Sequence, residues 1–321
     1  MKTIRPILLG LLALPVLFAG CSQDTDLPST GNEDRVALRV CSDITVDNQV
    51  QKAGTRAVDG SWENTDAIGI FAVQATGAEE YANRKYTTAT ATLGTFTPAT
   101  ADQTIYLPVD GSGRDFVAYY PYDGSMSGSE YAIDLTDQTR QNAIDFMVSE
   151  RENNSTNSTV KGITKADPNV KFRFHHKLAK LRLNIATGDG FSGNNSELAG
   201  LKVEITGQPT SGTFDVLTAD AVTTTNNSQT IDLLTVTEGT KAEGIVFPSA
   251  NFTDMKFVFT VQGHGEPYKW SLNKSNNATK FEAGKEYIYN ITINKTGINV
   301  TSTIEPWQPG NGLGGETGTA E

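Results

Sequence analysis

The chain has 321 residues, of which 26 are Lys or Arg and 37 Asp or Glu, giving a formal net charge of −11, and 37% are hydrophobic. That is apolar material for one large or two ordinary cores, while an acidic balance without a Lys/Arg-rich run excludes nucleic acid, whose phosphates demand clustered cations. Cys21, Cys41, His175, His176 and His264 form neither a disulfide framework nor a zinc-ligand spacing, so no metal and no cofactor is expected.

Met1 to Arg5 is a short cationic run, Pro6 to Phe18 is apolar, and Ala19-Gly20 supplies small residues before Cys21. This is the pattern of a signal peptide over residues 1–20, and its apolar run is shorter than the ~20 residues that span a bilayer. The junction Leu17-Phe18-Ala19-Gly20-Cys21 resembles the lipobox of bacterial lipoproteins. That implies acylation of Cys21 and anchoring in a membrane, since each buried CH₂ contributes about 0.8 kcal/mol. Ser22 to Glu33 is polar and acidic and reads as a tether. Arg35 to Ile44 then alternates, with Val36, Leu38 and Val40 on one face of a half-buried strand. Gln51 to Ala57, small and polar with Arg56 near its end, has the character of an exposed loop open to proteolysis.

Beyond residue 57 no segment of helical length sustains an i, i+3, i+4 apolar stripe, whereas period-2 runs recur between Gly, Pro, Asn, Asp and Ser clusters. The fold class is all-β. Strands are expected near Ala67–Val73, Tyr86–Phe96, Gln103–Leu107, Asp115–Tyr120 and Asp145–Val148. Arg151 to Thr159 lacks apolar residues and marks a junction, with the boundary placed near 165. Val170 to Ile185 reads as one long strand whose inward parity switches, which predicts a β-bulge near Ala179. Further strands follow at Lys202–Ile205, Thr213–Leu217, Ile245–Phe247, Met255–Val261, Tyr268–Leu272, Tyr287–Ile293 and Ile298–Ile304. Regular short strands with turn signals imply a sandwich in each half.

Patterns of catalysis are sparse. Gly124-Ser-Met-Ser-Gly128 misses the nucleophile-elbow spacing by one place and reads as a turn. Asp110 to Asp115 lacks the ligand ladder of a calcium loop and reads as a hairpin connection. Adjacent His175 and His176 point to opposite strand faces, which sets one of them toward a core. Trp62, Trp270 and Trp307 read as buried anchors, with glycan-stacking platforms as the alternative. No enzyme is expected.

The order of several short landmarks is similar to the fimbrillin family of Bacteroidales type V pili. They are Thr55-Arg56-Ala57, Trp62 to Phe71, Ile105 to Pro108, Asp115 to Tyr122, Asp145 to Met147, Phe174 to Lys180, Val246 to Pro248, Phe281 to Tyr287 and Ile304 to Trp307. The resemblance implies two tandem transthyretin-like Greek-key β-sandwich domains. Residues 1–20 would be the lipoprotein signal peptide and 21–56 a lipidated tether with a propeptide strand. Residues 57–165 and 166–307 would be the two sandwiches and 308–321 a Gly-rich tail. It also implies a precursor carried to the outer membrane surface and cut between Arg56 and Ala57 by an arginine-specific protease. The groove vacated by Val36, Leu38 and Val40 would then accept a neighbour's C-terminal strand, with Ile298, Val300 and Ile304 as the candidate donor residues. The expected partners are other pilus subunits in a head-to-tail polymer, the protease, the outer membrane through lipid before maturation, and a host or bacterial surface glycan or protein. The alternative is an outer-membrane-anchored lipoprotein, a pilus anchor or glycan-binding surface protein, that keeps its lipid.

Overall fold

The computed structural model describes residues 35–44, 62–74, 79–89, 94–149, 159–226, 228–275, 277–307 and 318–319. The first strands are β1 (Val36–Ala37), β2 (Arg39–Ile44), β3 (Ala67–Gln74), β4 (Glu79–Thr87), β5 (Thr95–Pro98), β6 (Tyr106–Leu107) and β7 (Arg114–Tyr120). They are followed by β8 (Glu130–Asp134), a single helical turn α1 (Gln141–Ile144), β9 (Met147–Ser149), β10 (Thr159–Ile163) and β11 (Asn169–His176). The remainder comprises β12 (Ala179–Thr187), β13 (Lys202–Gln208), β14 (Ser211–Asp215), β15 (Thr223–Thr224), β16 (Gln229–Asp232), β17 (Leu234–Thr235) and β18 (Lys241–Val246). It ends with β19 (Lys256–Thr260), β20 (Tyr268–Ser271), β21 (Lys285–Asn294), β22 (Gly297–Pro306) and β23 (Gly318–Thr319). The protein is all-β.

One sheet runs β10-β7-β3-β4-β5-β2-β11-β9, and β9 also pairs with β7, so its strand pairings close into a ring. The ring encloses Leu38, Val40, Ile44, Trp62, Ile68, Ile70, Tyr86, Phe96, Phe116, Tyr120, Phe172 and Phe174 among others. A second core lies among the sheet β17-β18-β12-β21-β22-β23, the sheet β16-β13-β19-β20 and the small sheet β15-β14-β8. Strands β3 and β7 serve both cores. Ile68, Ile70, Phe116 and Tyr120 point into the ring, while Phe71, Val117 and Tyr119 join the second core. Burial on two faces explains why these strands read as continuous apolar runs rather than alternating ones. Gly69 makes room for this arrangement, since a Cβ there would stand 2.1 Å from the Tyr119 ring.

Two expected strands are each divided. Tyr86–Phe96 is split between β4 and β5, and Gly94 at φ +85° shapes the entry to β5. Val170–Ile185 is not one bulged strand but β11 and β12 in different sheets. The parity switch is the crossing itself: β11 buries Phe172 and Phe174 in the ring, and β12 buries Leu181, Leu183 and Ile185 in the second core. By pairing, the chain leaves the ring after His176, and β8 has already joined β14 in the second region. A division at residue 165 therefore falls before the last strand of the ring.

Candidate functional site

Strand β2 occupies a slot between β5 and β11. It runs antiparallel to β5, with Val40 opposite Phe96 and Cys41 opposite Thr95. It runs parallel to β11, with pairs from Arg39–Asn169 to Ile44–Phe174. Its ladder is extended by three further backbone bonds: Leu38 N–H donates to the Ile105 carbonyl at 2.9 Å, Arg39 N–H to Pro168 at 2.9 Å, and Ser42 N–H to Gly94 at 2.8 Å. Leu38, Val40, Ser42 and Ile44 face inward and are buried, whereas Arg39 is exposed. Val36, in β1 opposite Leu107, is only half-buried.

The floor of the slot is aromatic. Trp62 meets Phe96, Tyr120 and Phe174 edge to face, at centroid distances of 5.0, 5.4 and 5.2 Å. Its polar groups sit at the margin. Tyr86 OH accepts from Ile105 N–H at 3.0 Å, and burial pushes its phenol up to about 12. Tyr120 OH donates to Asp66 Oδ1 at 3.1 Å, and burial holds the Asp66 carboxyl above the usual carboxylate value. Burial of Leu38, Val40 and Ile44 contributes about 1.5–3 kcal/mol for each side chain. A slot emptied of β2 would expose that apolar surface and two unpaired strand edges, a template for another strand.

The candidate donor residues lie elsewhere. Ile298, Val300 and Ile304 belong to β22, which pairs with β21 along its whole length, opposite Ile293, Ile291 and Tyr287. Ile298 and Val300 are buried in the second core and Ile304 packs partly against it. Asn277 Nδ2 donates to the Ser302 carbonyl at 2.9 Å, and Trp307 N–H donates to Gly284 O at 2.9 Å. Here, then, β22 is a strand of its own sheet, held also by β23 at Asn299 and Val300. Cys21, Arg56 and Ala57 lie outside the described residues.

Other motifs resolve as local structure. Asp110 Oδ1 accepts from Ser112 N–H and Oγ–H at 2.8 and 2.7 Å, a loop that closes on itself. His176 is buried and its Nδ1 is 2.7 Å from Asp145 Oδ1. Trp62, Trp270 and Trp307 are 6%, 3% and 1% exposed, so none offers a face to a sugar and the glycan-platform reading of these rings is overturned. The sequence reading ended the inward stripe at Val40; the structure extends it through Ser42 to Ile44, positions the same alternation already marked.

The fimbrillin-like family matches residues 55–307. A Bacteroides uniformis protein carrying the provisional name fimbrium subunit Fim1C is 44% identical over 321 residues, covering 99% of each chain. A crystal structure of a B. uniformis protein, provisionally described as a cell adhesion protein, superposes with a TM-score of 0.73 at 40% identity, covering 87% of this chain and 100% of that one. A Bacteroides ovatus protein with the same description shares the fold, with a TM-score of 0.67 at 23% identity over 86% of this chain and 99% of the other. The chain belongs to the fimbrillin-like family.

Proposed function

We propose that this chain is a structural subunit or adhesin of a cell-surface fimbria, not an enzyme, and that it is exported as a lipoprotein precursor through Cys21. An arginine-specific protease cuts after Arg56, and the mature chain polymerises by accepting a neighbour's strand, with other subunits of the fimbria as its partners. One observation supports this reading above the rest: β2, an interior strand of the ring, is built entirely from residues that precede Arg56. Releasing residues 1–56 removes, of the strands described, only β2 and the two-residue β1 that pairs with β6, and so converts a closed ring into an open one. Contacts of this head-to-tail kind do not close on themselves and so build fibres. The two proposed sandwich domains, drawn at 57–165 and 166–307, interleave across that boundary, since β11 completes the ring and β8 pairs with β14, and 308–321 is the proposed tail.

A second reading is favoured by the completeness of the uncut chain. With β2 paired on both sides and β22 paired along its length, the precursor needs no partner strand, as suits an anchor that keeps its lipid.

Intact-mass and N-terminal analysis of protein taken from the cell surface tests both. A chain beginning at Ala57 without lipid is the expected result, and a lipidated chain beginning at Cys21 overturns maturation in favour of the anchor.

A further inference from the structure

At the end of the second core away from the ring, three connections meet: residues 188–201 after β12, 261–267 between β19 and β20, and 295–296 between β21 and β22. Strand pairing puts them there. β12 enters this core at Ala179 and runs parallel to β21 as far as Thr187 opposite Ile293, and β21 turns into β22 where Asn294 faces Gly297. Lys202, at the start of β13, lies opposite Thr260 and brings in the third connection. The nine residues of β12, at about 3.3 Å each, separate these loops from the crossing after His176.

The loops are braced on one another. Gly188 N–H donates to the Ile293 carbonyl at 2.8 Å, Lys295 N–H to Asp189 O at 2.9 Å, and Asp189 N–H to Asn294 Oδ1 at 2.7 Å. Phe191 packs partly against the core and backs the His264 ring, their centroids 5.2 Å apart. It also carries the Lys295 ammonium 5.5 Å from its own centroid. Tyr268 is anchored by the same core. A scaffold that holds loops in this way presents their side chains at fixed positions.

Between residues 264–268 and 295–296 lies a cleft of about 400 Å³, within the range of small-ligand sites, about 300–1,000 Å³. His264, Glu266, Tyr268, Lys295 and Thr296 line it, and their polar ends make no hydrogen bond among the described residues. Other exposed loops close on themselves: Asp123, Asp134 and Asp137 each accept from the backbone N–H and the hydroxyl two places on.

We propose that this cleft binds the exposed end of a neutral saccharide. Tyr268 and His264 meet the apolar C–H face of a sugar, and Glu266, Lys295 and Thr296 hydrogen-bond to its hydroxyls. This rests on the adhesin half of the reading above, to which it adds a site and a ligand class.

Charge selects the class. A cation and a carboxylate, Lys295 and Glu266, line the same small space, so an ion of either sign meets one attractive and one repulsive group. The chain as a whole carries a net charge of −11, which opposes the approach of sialylated or sulfated sugars. Glu266 and Lys295 are also exposed, and ion pairs in water contribute only about 0–1 kcal/mol, so a zwitterion gains little there. What the cleft offers instead is aromatic surface with donors and acceptors gathered beside it. A sugar ring matches both, with its C–H face and with hydroxyls that donate and accept. The rings that serve are the half-buried Tyr268 and His264, not the buried tryptophans.

The test is binding of purified full-length chain to an array of neutral oligosaccharides, with sialylated and sulfated forms of the same sugars beside them. At least one neutral saccharide is expected to bind. Glu266→Ala and Lys295→Ala should each weaken it at least tenfold and Thr296→Ala less, all with the parent's melting temperature because the three residues are exposed. Tyr268→Phe, which keeps the ring, should bind more tightly than Tyr268→Leu, which keeps only apolar bulk; equal affinities overturn the stacking role. Preference for the charged sugars overturns the neutral class, and binding that survives Glu266→Ala and Lys295→Ala combined overturns the site. An array on which no saccharide binds overturns the proposal outright. Electron microscopy of the parent strain, with antibody against the chain, reads the underlying function separately. Labelled fibres keep the fimbrial subunit standing even where the array is empty, and their absence overturns that reading as well.

Discussion

His176 and Trp307 lie ring on ring, their centroids 3.9 Å apart and their planes within 9°. His176 ends β11, one wall of the β2 slot, and is fixed by Asp145. Trp307 follows β22 and closes the end of that strand. The wall of the slot and the end of the C-terminal strand thus meet in one buried stack, at the point where the two cores adjoin.

That stack makes Trp307 a test of how firmly β22 is held. Trp307→Ala should cost about 3–5 kcal/mol of unfolding free energy, the range for an aromatic removed from a core, measured by denaturant titration of the uncut chain. Amide exchange should quicken first along β21 and β22. Trp307→Phe, which retains most of the packing, should cost less, and a wild-type midpoint for Trp307→Ala would contradict the buried position.

Leu38 separates the two states of the protein. In the uncut chain it is 5% exposed inside the ring, so Leu38→Ala should cost about 2–5 kcal/mol. Once residues 1–56 have been removed the variant and the parent are the same molecule, and their melting curves should coincide. A Leu38→Ala precursor as stable as the parent would mean that β2 does not support the ring in solution.

Much of this was legible in the sequence because alternation reports burial directly. Met255 to Val261 and Ile298 to Ile304 show their inward residues one by one, and both form strands, β19 and β22. Partner choice was not legible. Arg39–Ile44 pairs with Asn169–Phe174, far along the chain, and nothing local in either segment specifies the other. Periodicity also misled at Ala179, where two half-strands of opposite parity mimic a bulge although they serve different sheets. Ser42 is buried on the inward face, yet in the sequence a polar residue at that parity reads as the end of an apolar stripe.

Asp66 should leave a signature in the pH dependence of stability. It accepts from Glu63 N–H at 2.7 Å and from Tyr120 OH, but burial outweighs both and raises its carboxyl above the ordinary value of 3.8. A folded-state value above the unfolded one means that the folded chain binds the proton more tightly. This contribution is therefore fully present below the unfolded value and is lost as pH rises through the raised folded one. Asp66→Asn has no proton to lose there. The stability of the variant relative to the parent should accordingly increase with pH across that window and level off above it. Urea midpoints measured from about pH 3 to pH 7 read this difference, and a flat difference would show that Asp66 titrates alike in both states.

Arg56 carries the maturation proposal, and its substitution acts on β2 without touching it. Arg56→Ala should leave residues 1–56 attached, so Leu38, Val40, Ser42 and Ile44 continue to fill the slot and no neighbour's strand can enter. The variant should fold with the parent precursor's melting temperature, because the change lies outside every strand described, yet remain monomeric and lipidated under conditions in which the parent forms fibres. Arg56→Lys distinguishes the protease's demand from a structural effect: it keeps the charge, and an arginine-specific enzyme should still fail to cut it. Size-exclusion chromatography and N-terminal sequencing of surface protein from the three strains decide the matter. Fibres built from uncut Arg56→Ala chains would show that β2 need not leave for the polymer to form.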